Sequence, residues 1–278
     1  MNFVGLSFME PHYENSFLLK IIGEKRSSAQ IKERGDFRRI YEFGKSQLEN
    51  NLFVQALKKD GILVIAEVKR SSPSSGLIKN SDCAFQVKIY EKSGADAISV
   101  LTEKRYFNGS LEDLVVAKRE TSLPVLRKDF IIFEEEIFET ARLSADSLLL
   151  ISEALEEDVL EDFIKLSRSL GMEPLVECFS EEGMEKVVRV SPLLVGINSR
   201  NLHSLDVDIE RAIRIFRKFR KYLEGKIVVA ESGIKTKSDV MYIAKEGIRR
   251  FLIGETLMRS DSPEKLIRDF KSVFELIK

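Results

Sequence analysis

From Ile62 onward the chain alternates short aliphatic or β-branched runs with longer stretches in which apolar side chains recur every three or four positions. The short runs have the length of buried strands and the long ones the period of amphipathic helices, so their regular succession predicts βαβ units around a parallel sheet. Eight strand runs are counted: Ile62–Val68, Ala97–Leu101, Pro124–Lys128, Ser147–Ile151, Glu173–Cys178, Leu193–Asn198, Lys226–Glu231 and Arg250–Gly254. Helical patterns lie between them over Cys83–Ser93, Leu111–Arg119, Phe133–Ser144, Glu156–Leu170, Glu181–Val190, Ile209–Tyr222 and Ser238–Glu246, and Pro263–Ile277 follows the last strand. Ser81-Asp82 and Asp261-Ser262-Pro263 are helix-start signals, because side-chain oxygens there can accept from free backbone N–H groups and proline fits a first turn. Eight is the number of strands that closes a barrel, so the predicted fold class is α/β, a (β/α)8 TIM barrel. A doubly wound open sheet has the same alternation and is separated from the barrel by strand count and by the motifs below.

The first sixty residues are more polar. They predict helices around Phe17–Ser28 and Asp36–Leu57, the second with loosely spaced apolar positions at Phe37, Ile40, Tyr41, Phe43 and Leu48. With no Pro/Gly/Ser linker and no short repeat, residues 1–278 read as a single barrel domain with residues 1–60 as an N-terminal helical cap.

Composition narrows the function. The chain is 44% hydrophobic and 32% charged, enough for a buried core, and its net charge of -1 supplies no field to draw it onto nucleic acid or anionic lipid. A small-molecule substrate is expected, with neither a nucleic-acid nor a membrane partner. The basic run Arg217, Lys218, Arg220 and Lys221 reads as a solvated helix face. No apolar run exceeds strand length and no signal-type segment opens the sequence, so a cytoplasmic location is expected. Two cysteines, Cys83 and Cys178, form neither a disulfide framework nor a zinc cluster, and with only His12 and His203 for histidines, acid–base chemistry falls to carboxylates and lysines. His203 reads as a solvated loop residue without a carboxylate partner.

Barrel active sites lie at the C-terminal ends of the strands, where polar residues that end an apolar run are informative. In the first strand, period two puts Ile65, Glu67 and Lys69 on one face, although this pair alone is equally well a structural ion pair. In the third, Leu126 and Lys128 share a face while Arg127 and Asp129 point away. An isolated lysine there is often a snorkelling surface residue, but one drawn into a desolvated cavity loses basicity and can serve as an acid. In the fifth, Leu175 and Glu177 point inward and Cys178 packs against the helices. The sixth runs into Asn198 and Arg200, an amide and a guanidinium able to orient a hydroxyl or carboxylate. The seventh and eighth end in ESGI (Glu231–Ile234) and IGETLM (Ile253–Met258), whose glycines let backbone N–H groups approach an anion, with a short extra helix expected to complete a phosphate site.

Taken in order, AEVKRSSPSSG, SVLTEKRYFNGS, LPVLRKDFI, ADSLLLI, EPLVEC, VGINSRNL, VVAESGI and FLIGETLM resemble indole-3-glycerol phosphate synthase across the whole barrel, and the N-terminus is similar to the extra helices with which that family caps the barrel near its site. The resemblance implies ring closure, decarboxylation and dehydration of 1-(2-carboxyphenylamino)-1-deoxyribulose 5-phosphate to indole-3-glycerol phosphate in tryptophan biosynthesis, by a carboxy-lyase with no metal or organic cofactor. It assigns Lys128 as general acid for ring closure, Glu177 as general base, and Glu67 and Lys69 to catalysis and substrate binding; which of these acts in dehydration stays open. Asn198 and Ser232 are carried over as catalytic residues. Ser72, Phe107, Phe130, Arg200, Glu231, Gly233, Gly254 and Glu255 are carried over as substrate-binding, Phe107 and Phe130 beside the anthranilate ring. Two positions depart from the pattern: Ser199 stands where many members have asparagine, and Asn201 where aspartate is frequent.

Two other readings remain at this point: another phosphate-binding barrel such as phosphoribosylanthranilate isomerase, which would share the last two loops but not the Glu67, Lys69, Lys128 and Glu177 set, and a sugar-phosphate-binding barrel without turnover. The sequence does not fix oligomeric state. A monomer is the expectation, with association with other tryptophan-pathway enzymes left open and any such partner expected as a separate chain.

Overall fold

In a computed structural model that describes residues 16–28 and 50–278, eight parallel strands close into a barrel. They are β1 (Leu63–Val68), β2 (Ala97–Leu101), β3 (Val125–Lys128), β4 (Ser147–Ile151), β5 (Leu175–Cys178), β6 (Leu194–Asn198), β7 (Ile227–Glu231) and β8 (Arg250–Ile253). Each pairs with its chain neighbours, and β8 returns to β1 with Ala66 opposite Ile253. Nearly every strand residue is buried, as expected of a sheet with helices outside and side chains filling the middle. The strands predicted from the sequence are all present, within two residues at each end.

Outer helices α3 (Cys83–Lys92), α4 (Leu111–Glu120), α5 (Glu134–Arg142), α6 (Glu157–Ser169), α7 (Glu181–Val190), α8 (Ile209–Phe219) and α9 (Lys237–Lys245) follow the strands, and five of them start where short polar side chains cap them. Asp82 accepts from the Phe85 N–H, Ser110 from Asp113, Ser180 from Gly183, Asp208 from Arg211 and Thr236 from Asp239. The helix predicted over Pro263–Ile277 is two, α11 (Pro263–Lys271) and α12 (Phe274–Ile277), because the Ser272 hydroxyl turns back onto the Asp269 carbonyl. The stretch Ile209–Tyr222 likewise divides into α8 (Ile209–Phe219) and a tighter 3-10 turn, Arg220–Leu223. On α8, Arg217 pairs with Glu246 and Lys218 with Glu181, in keeping with a solvated face.

The two described N-terminal helices lie at opposite ends of the barrel. Helix α1 (Phe17–Ser28) lies over the strand C-termini: its Phe17 and Leu18 N–H groups donate to the carbonyls of His203 and Leu202, beyond β6. Helix α2 (Leu52–Lys58) closes the other end. Asn51 caps it and donates to the carbonyls of Asp146 and Gly171, which precede β4 and β5, while Arg250 at the start of β8 donates to Leu57 O. Of these two described helices α1 stands at the site end, and the helix predicted over Asp36–Leu57 begins, in the described residues, at Leu52. His12 and the apolar positions Phe37, Ile40, Tyr41, Phe43 and Leu48 lie outside the described residues.

Candidate active site

The strand C-termini surround a cavity whose wall includes Glu67, Lys69, Lys128, Glu177, Asn198 and Glu231. Strand parity brought them there, since each ends its strand on the inner face or lies just past it. The Glu67 carboxylate is 4% exposed, accepts from the Ser99 hydroxyl at 3.3 Å and lies 3.7 Å from Lys69 Nζ. Glu67 and Ser99 are register partners on β1 and β2, so a serine inside an apolar strand was the signal for this contact. Gly254 is required by the same carboxylate, because a Cβ there would come within 2.5 Å of Glu67 Oε1.

Lys128 is drawn inward and does not snorkel. Its Nζ donates to Glu177 Oε2 at 2.9 Å and lies 3.4 Å from Glu231 Oε2. Burial works against its charge, but the acidic neighbours, Glu177 foremost, outweigh burial and raise its basicity. The sequence argument that a desolvated lysine loses basicity therefore fails for Lys128 in this resting state and holds for Lys69. There burial, with Lys128 and Arg200 adding to it, lowers the pKa despite Glu67. Glu177 is fully buried. Burial would raise its carboxyl, yet Lys128 and the Asn198 amide, 2.9 Å from Oε1, hold it below the usual range. Asn198 is itself oriented by the Arg200 N–H on Oδ1, and Arg200 reaches across the mouth to Ser74 Oγ at 3.0 Å.

Burial and the neighbouring Glu177 raise the carboxyl of Glu231 well above the ordinary range. Its side chain has room because Gly196 faces it; a Cβ on Gly196 would lie 2.2 Å from Glu231 Oε1. Past β7, Ser232 and Gly233 both take the left-handed conformation, φ 63° and 77°. Together with Gly254 and the short helix α10 (Glu255–Arg259), which begins immediately after β8, they line a second, open groove that also contains Lys69 and Arg200. Successive backbone N–H groups beside two cations suit a phosphate. The loop after β1 forms a small hairpin, Ser71–Ser72 against Gly76–Leu77, tied down by Ser75 Oγ donating to Glu255. Buried Ser72 accepts from the Ser75 N–H within it.

An aromatic slot adjoins the charged wall. Phe107 and Phe130 lie 6.2 Å apart between ring centres, with Lys69 Nζ 5.4 Å from the Phe107 centroid. Phe17, from α1, joins them edge-on to Phe130 at 6.3 Å and lines the cavity. Sequence reasoning gave Phe17 only as a helix start. It also missed Lys25, which binds Glu136 at 2.5 Å, Asp129 at 3.4 Å and the Phe130 carbonyl, and so fixes α1 to the segment after Lys128. Arg127 points away from the cavity as expected, toward Glu139 and Thr140, whereas Asp129 lies at the rim.

His203 is not the solvated loop residue that the sequence suggested. Its Nδ1 lies 2.6 Å from Ser16 Oγ and its ring meets Phe179 edge-on, and burial lowers its pKa. Cys178 packs outward against the Gly196 carbonyl, as parity predicted. Asn201 accepts from the His203 N–H, a turn that aspartate makes equally well, and the Ser199 N–H donates to the Glu231 carbonyl, a bond independent of its side chain. Among the described residues, no cluster of three or more His, Cys, Asp or Glu could hold a metal ion, and no helix is long and apolar enough to cross a membrane.

The solved thiamine phosphate pyrophosphorylase of Pyrococcus furiosus superposes with a TM-score of 0.57 over 78% of this chain and 96% of that one, at 15% identity, a likeness of fold alone. Sequence relatives are more informative. An indole-3-glycerol phosphate synthase of Legionella pneumophila (strain Paris) is 39% identical over 91% of this chain and 98% of its own length. Those of Caldanaerobacter subterraneus subsp. tengcongensis and Aquifex aeolicus are 42% and 38% identical, over 78% and 84% of this chain and 83% and 90% of their own. The family model for indole-3-glycerol phosphate synthase matches residues 18–270, from α1 through α11. The chain belongs to the indole-3-glycerol phosphate synthase family.

Proposed function

We propose that this barrel, acting as a carboxy-lyase, converts 1-(2-carboxyphenylamino)-1-deoxyribulose 5-phosphate to indole-3-glycerol phosphate with the side chains of the cavity alone. The observation that carries the reading is the buried Lys128–Glu177 pair, set between an aromatic slot and a glycine-lined groove. The substrate has a flat ring, a reacting carbonyl and a phosphate in the same order. Its phosphate lies on the N–H groups around Gly233 and Gly254, with Lys69, Ser72, Ser232 and Glu255 around it. The anthranilate ring enters between Phe107 and Phe130, and Arg200 takes the ring carboxylate.

The ring carbon bearing the carboxylate attacks the ketone, and Lys128, held as an ammonium by its carboxylate neighbours, gives the oxygen a proton. Loss of carbon dioxide returns aromaticity. Dehydration then needs a second proton on the leaving hydroxyl and the removal of one from carbon, the latter by Glu177. Asn198 keeps that carboxylate aimed, and Glu67 and Lys69 stabilise charge along the neighbouring wall. In this reading, the chain is one barrel domain with residues 1–60 as an N-terminal extension, and it works as a cytoplasmic monomer free to associate with other tryptophan-pathway enzymes.

The test is to supply the purified protein with the carboxyphenylamino substrate, with no added metal, and to follow indole fluorescence. Fluorescence should rise as substrate is consumed. Binding without product would favour a non-catalytic barrel, and turnover of phosphoribosylanthranilate instead would favour an isomerase.

A further inference from the structure

The cavity holds the carboxyl groups of three glutamates, Glu67, Glu177 and Glu231, against the two amino groups of Lys69 and Lys128. Hydrogen bonds divide the carboxylates unequally. Glu177 receives Lys128 on one oxygen and Asn198 on the other, and Glu67 receives Ser99 and lies against Lys69. Glu231 is 1% exposed and accepts no hydrogen bond on either oxygen; Lys128 lies 3.4 Å from its Oε2. Around it stand Lys128 of β3, Glu177 of β5 and Glu67 of β1, with Gly196 of β6 against its Oε1. A buried carboxylate without donors, beside another that is already anionic, is a costly arrangement, whereas a carboxylic acid brings its own donor.

We infer that Glu231 stands in the resting site as a neutral carboxylic acid and is the proton store that reloads Lys128 between ring closure and dehydration. This rests on the reaction proposed above, whose proton count calls for a second proton within the site. As the ring carbon bonds to the ketone carbon, the carbonyl π pair takes a proton from Lys128, which becomes a neutral amine. The bond to the carboxylate breaks, carbon dioxide leaves, and its electron pair returns to the ring without a proton. The carbon–oxygen bond then breaks as the hydroxyl takes a second proton and leaves as water. Glu177 removes a proton from the carbon next to nitrogen as the indole double bond forms. Two protons are delivered before one is collected. Glu231 gives its proton to Lys128 across the 3.4 Å contact and becomes a carboxylate. The proton on Glu177 and one from solvent then restore the site.

The experiment is single turnover of Glu231→Gln, with carbon dioxide and indole followed in parallel. In the wild type both should appear together. In the variant, carbon dioxide should still be released while indole lags by roughly tenfold or more and the hydroxyindoline accumulates. Release in step in the variant would overturn the store and leave Lys69 as the second acid, and equal loss of both would make Glu231 a positioning residue for ring closure. Neither product in the wild type would sink the proposed reaction itself. Should the variant fail to fold, infrared spectra of unliganded wild-type protein at neutral pH decide. A protonated-carboxyl C=O stretch that persists in Glu153→Gln, the other buried carboxyl with a raised pKa among the described residues, supports the inference, and its absence overturns it.

Discussion

Replacing Lys128 with methionine keeps the unbranched stem of the side chain and removes the one cation that, among the described residues, ion-pairs with Glu177. Asn198 alone does not balance a carboxylate this deeply buried, so in the variant Glu177 folds in its protonated form. That uptake has a calculable ceiling. A carboxyl that titrates near ~4.3 when unfolded costs about 1.4 kcal/mol per pH unit to keep protonated, which is roughly 1 kcal/mol at pH 5 and roughly 3.7 kcal/mol at pH 7. The sign follows from the direction of the shift. In the wild type the carboxyl of Glu177 is depressed, so its contribution to stability is present above the unfolded pKa and lost as pH falls. In the variant it is raised, and stability is lost as pH rises. The gap between the two proteins must therefore widen from pH 5 to pH 7, from roughly 2–4 °C to roughly 7–15 °C in Tm for a barrel of this size. Thermal unfolding followed by circular dichroism at the two pH values measures it, and an equal gap at both would refute the reasoning. Turnover should fall by roughly 10²–10⁴-fold, with much less change in affinity for a phosphate-bearing product analogue.

Gly254→Ala puts a methyl group 2.5 Å from Glu67 Oε1, so the carboxylate has to move. A stability loss of roughly 1–3 kcal/mol in urea unfolding and a lower kcat/KM are expected, and wild-type kinetics would show that the approach of Gly254 to Glu67 is dispensable. Burial pushes the Cys83 thiol up to about 12, and Cys178 is raised well above its ordinary value. Native protein should therefore resist a thiol-specific reagent at mildly alkaline pH until it unfolds; prompt labelling of either cysteine would contradict their burial.

The barrel was legible because each of its strands is a short apolar run between amphipathic helices, and a period of two fixes which side chains face inward. That argument alone brought Glu67, Lys128 and Glu177 to one cavity. It could not find Phe17, Lys25 or the seat of His203, because their partners lie more than a hundred residues away and nothing local in α1 records them. Nor could it tell which end of the barrel α2 would close. That is decided by Asn51 meeting the carbonyls before β4 and β5 and by Arg250 meeting Leu57, polar contacts with no periodic trace. The basicity of Lys128 was misread for a related reason: its sign depends on acidic side chains contributed by other strands, Glu177 foremost.

The seating of α1 also sets an order of assembly. Its apolar face, Leu18, Ile21 and Ile22, is synthesised before every strand of the barrel, yet the groups that hold the helix are Asp129, the Phe130 carbonyl, Glu136 and the carbonyls of Leu202 and His203. Until β6 and the turn beyond it have left the ribosome, the helix has no complete seat and its leucine and isoleucines remain in water. The segment made early is thus placed late, and contacts of such long sequence separation slow the closing steps of folding. The wall that Phe17 contributes to the cavity is then in place only once the barrel beneath it has formed.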